Sequence, residues 1–392
     1  MNFPPPRALG RYAALLFFVA GLLGTAGLSG QDRAARIASS LDNASLAAQV
    51  IMSGVDGKSR LDPVMGRILR ECPPGAVMLF RYNLNSPPEE ARRFIAQCVE
   101  AVEAGTRPTS GMGGMGKAPP GGPIPPLIAV DHEGGQVHRF GPGISRLPPA
   151  ASWEDRARQE GKEAALEALE ALAYASGREI RNLGVNLNLA PVAETLNDEN
   201  RLFLEDRGFS SEPGFTAAAA AAFIRGMERA GVGCVAKHFP GNSGADPHRS
   251  ATVLSGNREE LARAVEPFAS LIRGESPLAG LMVSHVLVPA WDPRRIGTFS
   301  PVLINQWVRG NLGFQGLILV DDFSMAASGT EPGEAAVLSL AAGADMVMAW
   351  PSSLRQVRGA ILAALEGGRL TRPRLEEATA RIIREKIRMG LL

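Results

Sequence analysis

The stretch Lys237-His238-Phe239-Pro240-Gly241-Asn242-Ser243-Gly244-Ala245-Asp246-Pro247-His248 gathers two histidines, a lysine and an aspartate within twelve residues. It follows the apolar run Val232–Ala236, which reads as a short buried strand, so the strand ends on a pair of cations. Gly241 and Gly244 open conformations closed to other residues. The loop they shape delivers Asp246 and His248 with one residue between them. An imidazole beside a carboxylate is equipment for proton transfer, the carboxylate orienting the ring. A second station is Asp321-Asp322, directly after the apolar run Leu317–Val320. A carboxylate such as Asp321 on one face of a bond and an acid/base such as His248 on the other can cleave a glycosidic bond through a covalent intermediate. Asp131, Glu133 and Arg139 follow a third run, Leu127–Val130. Carboxylates and cations can hold sugar hydroxyls by charge-assisted hydrogen bonds, and Trp350 is a candidate stacking platform for a sugar ring, with simple packing as the alternative.

These residues all stand at the ends of apolar runs. The runs are Ala48–Ser53, Ala76–Phe80, Leu127–Val130, Val185–Leu189, Val232–Ala236, Gly280–Ser284, Leu317–Val320 and Met346–Ala349. Helical periodicity separates them at Glu90–Ala104, Lys162–Leu183, Phe215–Ala230, Arg258–Ile272 and Ala335–Ala341, and a last helix fits Arg374–Arg388. Continuously apolar strands alternating with helices predict a parallel sheet covered on both faces. Eight such units predict an α/β fold of the (β/α)8 TIM-like barrel type, with its chemistry at the carboxyl ends of the strands. An open doubly wound sheet is the alternative, but no Gly-x-Gly-x-x-Gly follows the first run. All five histidines fall just after these runs, an expected clustering on one rim.

Composition narrows the partners. The chain has 392 residues and a formal charge of +1, with 41 basic and 40 acidic side chains, which argues against nucleic acid. Arg7 and Arg11 precede an apolar run from Tyr12 to Leu28 that ends among small residues. Residues 1–30 thus read as a secretory signal peptide, or as an N-terminal membrane anchor, and predict an exported protein. Residues 31–392 read as one catalytic barrel, interrupted by a flexible Gly/Pro-rich insertion from Thr106 to Pro126. Three cysteines are no disulfide framework. A Cys72–Cys98 bridge is open, and Cys234 reads as a core residue. There is no zinc spacing, no Gly-x-Ser-x-Gly elbow and no phosphate-cradling loop.

Five motifs together resemble the single-domain family 3 glycoside hydrolases, nearest to the β-N-acetylhexosaminidases that act on peptidoglycan. They are Lys237-His238-Phe239-Pro240-Gly241 with the later Asp246-x-His248, Val320-Asp321-Asp322-Phe323-Ser324-Met325, Val130-Asp131-His132-Glu133-Gly134-Gly135-Gln136-Val137-His138-Arg139-Phe140, Asp206-Arg207-Gly208-Phe209, and Ala341-Ala342-Gly343-Ala344-Asp345-Met346. The resemblance implies that Asp321 is the nucleophile, His248 the general acid/base and Asp246 its partner. It implies that Asp131, Arg139, Arg207, Lys237 and His238 bind a terminal N-acetylglucosamine, with no metal and no cofactor. A second domain is not expected after the barrel. The sequence departs from the family pattern where Asn242-Ser243 replaces His-Gly, where Pro247 stands for Ser, and where His132 and Gln136 stand for Gln and Arg. Asp322 reads as a helix cap with Ser324, Arg81 and Asn83 as rim supports, and His285 as a group behind the site. Glu133 reads equally as a hydroxyl binder or a buried hydrogen-bond partner. The competing readings are a β-glucosidase-like or phosphorolytic relative, an aldolase or decarboxylase forming a Schiff base on Lys237, and a sugar-binding barrel without catalysis.

Overall fold

The computed structural model describes residues 30–107, 122–242, 246, 249–250, 252–274, 277–323, 325 and 328–392. The signal or anchor segment, most of the Gly/Pro-rich insertion, His248 and Ser324 lie outside the described residues.

Eight strands form the centre: β1 Ile51–Gly54, β2 Ala76–Leu79, β3 Leu127–Val130, β4 Leu187–Asn188, β5 Gly233–Phe239, β6 Gly280–Val283, β7 Leu317–Val320 and β8 Val347–Ala349. They pair in the order β7-β6-β5-β4-β3-β2-β1-β8, each parallel to its neighbour. A parallel bridge between Leu319 and Met346 joins the two edges, and the Val320 N–H donates to the Met346 carbonyl at 3.3 Å. The sheet is therefore a closed (β/α)8 barrel. No strand order reverses, as an open doubly wound sheet requires. Every residue of β1, β2, β3, β6 and β7 is buried, which is why these strands read as unbroken apolar runs rather than alternating ones.

The helices Pro63–Glu71, Pro88–Thr106, Lys162–Leu183, Pro213–Arg229, Arg258–Arg273, Val302–Asn311, Pro332–Ala342 and Leu354–Glu366 follow the eight strands in turn. Local chemistry sets their ends. The Asp62 carboxylate caps Pro63–Glu71 by accepting from the Val64 and Met65 N–H groups, and Asn257 with Glu260 forms a capping box on Arg258–Arg273. Lys162–Leu183 stops at Gly184, whose φ of 108° only glycine adopts readily.

Two boundaries differ from expectation. The first apolar run splits, with Ala48 and Gln49 ending the helix Asn43–Gln49 before β1 starts at Ile51. Alanine and glutamine favour the helix as readily as burial favours a strand. β5 continues through Lys237 and His238 to Phe239, so both residues belong to the strand itself.

The helix Arg372–Arg388 lies across the amino ends of the strands. Lys386 Nζ donates to Gln49 Oε1 at 2.8 Å, just before β1. Arg374 and Arg381 reach Asp345 Oδ1 at 3.0 and 2.9 Å, just before β8, and Arg384 reaches the Gln315 carbonyl before β7. The helix Gly30–Ser40 packs on this floor, where Arg33 Nη1 donates to the Leu392 carbonyl at 3.4 Å. Cys72, Cys98 and Cys234 are buried free thiols, so the Cys72–Cys98 bridge is not formed. Burial pushes the first two up to about 11 and about 12. Among the described residues no helix is long and apolar enough to cross a membrane.

Candidate active site

At the opposite, carboxyl end of the barrel the chain builds a cavity of about 310 Å3 whose wall includes Asp131, Glu133, Arg139, Arg207, Lys237, His238, Asn242, Asp321 and Asp322, with Phe80, Phe203 and four methionines as apolar surface. Most of the polar residues are brought there by strand ends, while Arg139 and Arg207 come from the longer loops after β3 and β4. β3 stops at Val130, so Asp131 and Glu133 emerge at its tip. Gly134 and Gly135, at φ 105° and 51°, turn the chain back so that Gly134 pairs antiparallel with Val137 and Arg139 returns to the cavity. A Cβ on Gly135 would lie 2.8 Å from Asp206 Oδ2, so the turn also admits the loop that carries Arg207. Gln136 fastens that loop, its Nε2 donating to Asp206 Oδ1 and to Glu205 Oε2 at 2.9 Å each.

The charges form one network. Lys237 Nζ lies 2.6 Å from Asp131 Oδ1 and 2.7 Å from Glu133 Oε1. Arg207 clasps Glu133 with both arms, Nε at 2.8 Å and Nη2 at 3.0 Å. Arg139 Nη2 stands 3.4 Å from Asp131 Oδ2. Burial pushes the Glu133 carboxyl up, but Lys237 and Arg207 outweigh it and hold it far below the usual carboxylate range. Burial pulls Lys237 down, and Asp131 and Glu133 more than reverse this, keeping its ammonium protonated. Burial likewise raises the Asp321 carboxyl, but His238, His285, the Asp322 N–H and Lys237 bring it below its ordinary value. The Asp322 N–H donates to Asp321 Oδ1 at 2.9 Å. His285 is itself pushed down by burial.

The structure thus brings Asp131, Arg139, Arg207, Lys237, His238 and Asp321 together around one cavity. Asp246 is not among its wall residues, and its carbonyl accepts from the Arg249 and Ser250 N–H groups at 2.9 and 3.1 Å. His248, the expected acid/base, lies outside the described residues. The expected histidine rim is corrected. His132 is fully buried with Nε2 2.7 Å from Ser176 Oγ, on the helix behind β3, and burial pushes its pKa down to about 3. His138 packs on His132, ring centroids 5.2 Å apart. His285 sits behind the wall, hydrogen-bonded to Thr298 Oγ1 and to the Asp322 carbonyl at 3.0 Å each. Asp322 is corrected too. The helix after it starts only at Pro332, and its carboxylate accepts the Trp350 indole N–H at 3.0 and 3.1 Å. Trp350 stacks on Phe80 with centroids 4.9 Å apart and does not line the cavity, so Phe80 presents the aromatic surface there. Asn83 supports the rim, its Nδ2 donating to the Val55 and Gly57 carbonyls, and Arg81 is exposed.

Sequence reasoning passed over Glu194. This fully buried carboxylate lies past β4 and holds His238 Nδ1 at 2.6 Å and the Asn242 N–H at 2.6 Å. Its signal was a lone acidic residue closing the apolar run after β4. Among the described residues no group of three or more His, Cys, Asp or Glu side chains is placed to hold a metal ion.

Fold and cavity define the class: an α/β barrel whose ionised groups converge at the strands' carboxyl ends, where such barrels carry out their chemistry. Residues 116–385 match the family model described as glycosyl hydrolase family 3 N terminal domain. A beta-hexosaminidase of Methylococcus capsulatus is 40% identical over 248 residues, covering 61% of this chain and 70% of that protein. A solved glycoside hydrolase family 3 beta-N-acetylglucosaminidase from Paenibacillus sp. superposes with a TM-score of 0.79 at 27% identity, over 90% of this chain and 63% of that one. NagZ from Neisseria gonorrhoeae, solved in complex with N-trifluoroacetyl-D-glucosamine, superposes with a TM-score of 0.69 at 26% identity, over 86% of this chain and 89% of that one. The chain belongs to glycosyl hydrolase family 3.

Proposed function

We propose that the chain is a retaining β-N-acetylhexosaminidase that removes terminal, non-reducing β-N-acetylglucosamine from peptidoglycan-type fragments. The observation that carries this reading is Asp321: an ionised carboxylate at the end of β7, facing cations across a polar cavity. Asp321 attacks the anomeric carbon and forms a glycosyl-enzyme. His248 gives its proton to the departing oxygen, and Asp246 orients it. Water, deprotonated by His248, then releases the sugar with retained configuration. Asp131, Arg139, Arg207, Lys237 and His238 hold the sugar hydroxyls. The relatives' names support the activity. The N-terminal segment supports an exported, periplasmic or membrane-anchored enzyme, which cell fractionation tests: full-length, unprocessed protein in the cytosol overturns that location.

A Schiff base on Lys237 is disfavoured by its two carboxylate contacts, because a nucleophilic lysine must be unprotonated. The deciding assay is release of p-nitrophenol from its N-acetyl-β-glucosaminide, with and without phosphate. Turnover that is independent of phosphate and gives a β-configured first product supports the reading. A glycosyl phosphate product, or the absence of turnover, overturns it.

A further inference from the structure

Glu194 reaches its place because the segment after β4 runs alongside β5: Val192 and Lys237 form a parallel bridge, the Lys237 N–H donates to the Pro191 carbonyl at 3.0 Å, and the Ala193 N–H donates to the Lys237 carbonyl at 2.7 Å. The side chain has no exposed surface. A buried carboxylate is costly unless its oxygens are satisfied, and here both are. Oε1 meets His238 Nδ1 at 2.6 Å and Asn242 Nδ2 at 3.2 Å; Oε2 accepts the Asn242 N–H at 2.6 Å and meets Nδ2 at 3.3 Å. Asn242 Oδ1 in turn accepts from Ser284 Oγ at 2.8 Å, past β6. One carboxylate therefore ties the ends of β4, β5 and β6. It grips two cavity-wall residues at once, His238 and Asn242, the latter standing where the family resemblance expects histidine.

We propose that Glu194 is a positioning residue for the sugar site. It accepts the Nδ1 proton of His238, which turns the ring's Nε2 edge to the cavity and toward Asp321, and it pins Asn242 at the start of the loop that leads to Asp246. A carboxylate at Nδ1 fixes both the tautomer and the orientation of an imidazole. The charged and titratable groups around this cavity wall are Glu194 and Arg207 past β4, Asp131, Glu133 and Arg139 past β3, Lys237 on β5, His285 past β6, and Asp321 and Asp322 past β7. None of the others takes the Nδ1 position.

The proposal rests on the glycosidase reading only for its kinetic arm, so the test has two arms. In the first, imidazole 15N spectra of histidine-labelled protein are recorded, His238 being assigned by its loss in His238→Asn. Nδ1 of His238 carries its proton in the wild type across the neutral range, and Glu194→Gln converts the signal to a tautomer mixture. An unprotonated Nδ1 in the wild type, or an unchanged signal in Glu194→Gln, overturns the proposal. In the second arm, Glu194→Gln lowers kcat/KM on the aryl N-acetyl-β-glucosaminide roughly 10- to 100-fold, but no more than about threefold in a His238→Asn background, because coupled residues are not additive. Equal losses in both backgrounds overturn it. Should Glu194→Gln not fold, Glu194→Asp, which keeps the charge and shortens the reach, is read by the same two arms. If the wild type does not turn over the sugar at all, the glycosidase reading fails, and the spectra alone decide the role of Glu194.

Discussion

Two lysines are buried at opposite ends of this barrel, and they titrate in opposite directions. Lys237, at the carboxyl end, sits between Asp131 and Glu133, and these carboxylates raise its pKa above the ordinary lysine value despite burial. Lys386, under the amino end, donates to the neutral Gln49 amide oxygen, and burial drags it down to about 7. Depth is similar; the neighbours differ. A buried cation with counter-charges is part of an electrostatic instrument, whereas one with a dipole alone is a standing cost that packing must offset. The upper end of the barrel keeps its charges ionised where a ligand is to meet them, and the lower end holds, beside the ion pairs of Asp345, one lysine whose hydrogen-bond partner is only the neutral Gln49 amide.

The largest expected effect is on the charged end. Under the glycosidase reading, Asp321→Ala loses on the order of 10^4-fold or more in kcat on every substrate, measured by steady-state turnover, because no glycosyl-enzyme can form. His248→Ala should separate leaving groups: disaccharide-like substrates lose far more than activated aryl glycosides, which need little proton donation. Equal losses on both would take the acid/base role from His248.

Next comes Lys237→Met, which strands Asp131 and Glu133 without their shared cation. It should lower the unfolding free energy by about 3–5 kcal/mol in chemical denaturation. The wild-type contribution of Lys237 is complete below its ordinary value of 10.5 and is lost as pH rises through its raised folded value.

Lys386→Met should do the reverse and stabilise the fold. The folded pKa of Lys386 lies near 7 against an ordinary 10.5, so between these values the unfolded chain binds more protons and wild-type stability rises with pH. The gain from Lys386→Met is thus a few kcal/mol, order of magnitude, below pH 7 and fades toward pH 10.5. Melting temperatures of the two lysine variants across pH read both slopes, and slopes of the same sign would break the contrast. Smallest is Trp350→Phe. It removes the indole hydrogen bond to Asp322 while keeping a ring against Phe80, and should shift kcat/KM by about 1 kcal/mol or less.

Much of the carboxyl end was legible in sequence because it is written in strand tips. Asp131, Lys237, His238 and Asp321 each directly follow or end an apolar run, and a closed parallel barrel points all such tips one way; Arg139 reaches the same cavity only through the Gly134-Gly135 turn. The floor was less legible. Arg374, Arg381 and Lys386 lie on a helix whose amphipathic pattern predicts a helix but not what it covers. Histidine clustering misled for the opposite reason. His132 and His138 sit at the right place along the chain, but the Gly134-Gly135 turn sends alternate side chains of that loop to opposite sides, one set to the cavity and the other to the helix behind. Glu194 escaped because one carboxylate after an apolar run is unremarkable until β5 is seen lying beside it.

The floor built by Gly30–Ser40 on Arg372–Arg388 sets how the molecule can be suspended. Gly30 lies at the end of the barrel away from the cavity. A chain entering through that helix, whether it comes from a bilayer, a resin or a fused carrier, holds the barrel by its base, like a cup standing on a table. The mouth then looks outward into solution, away from the supporting surface. A linker grafted onto the rim loops would turn the cup over and close it against its own support.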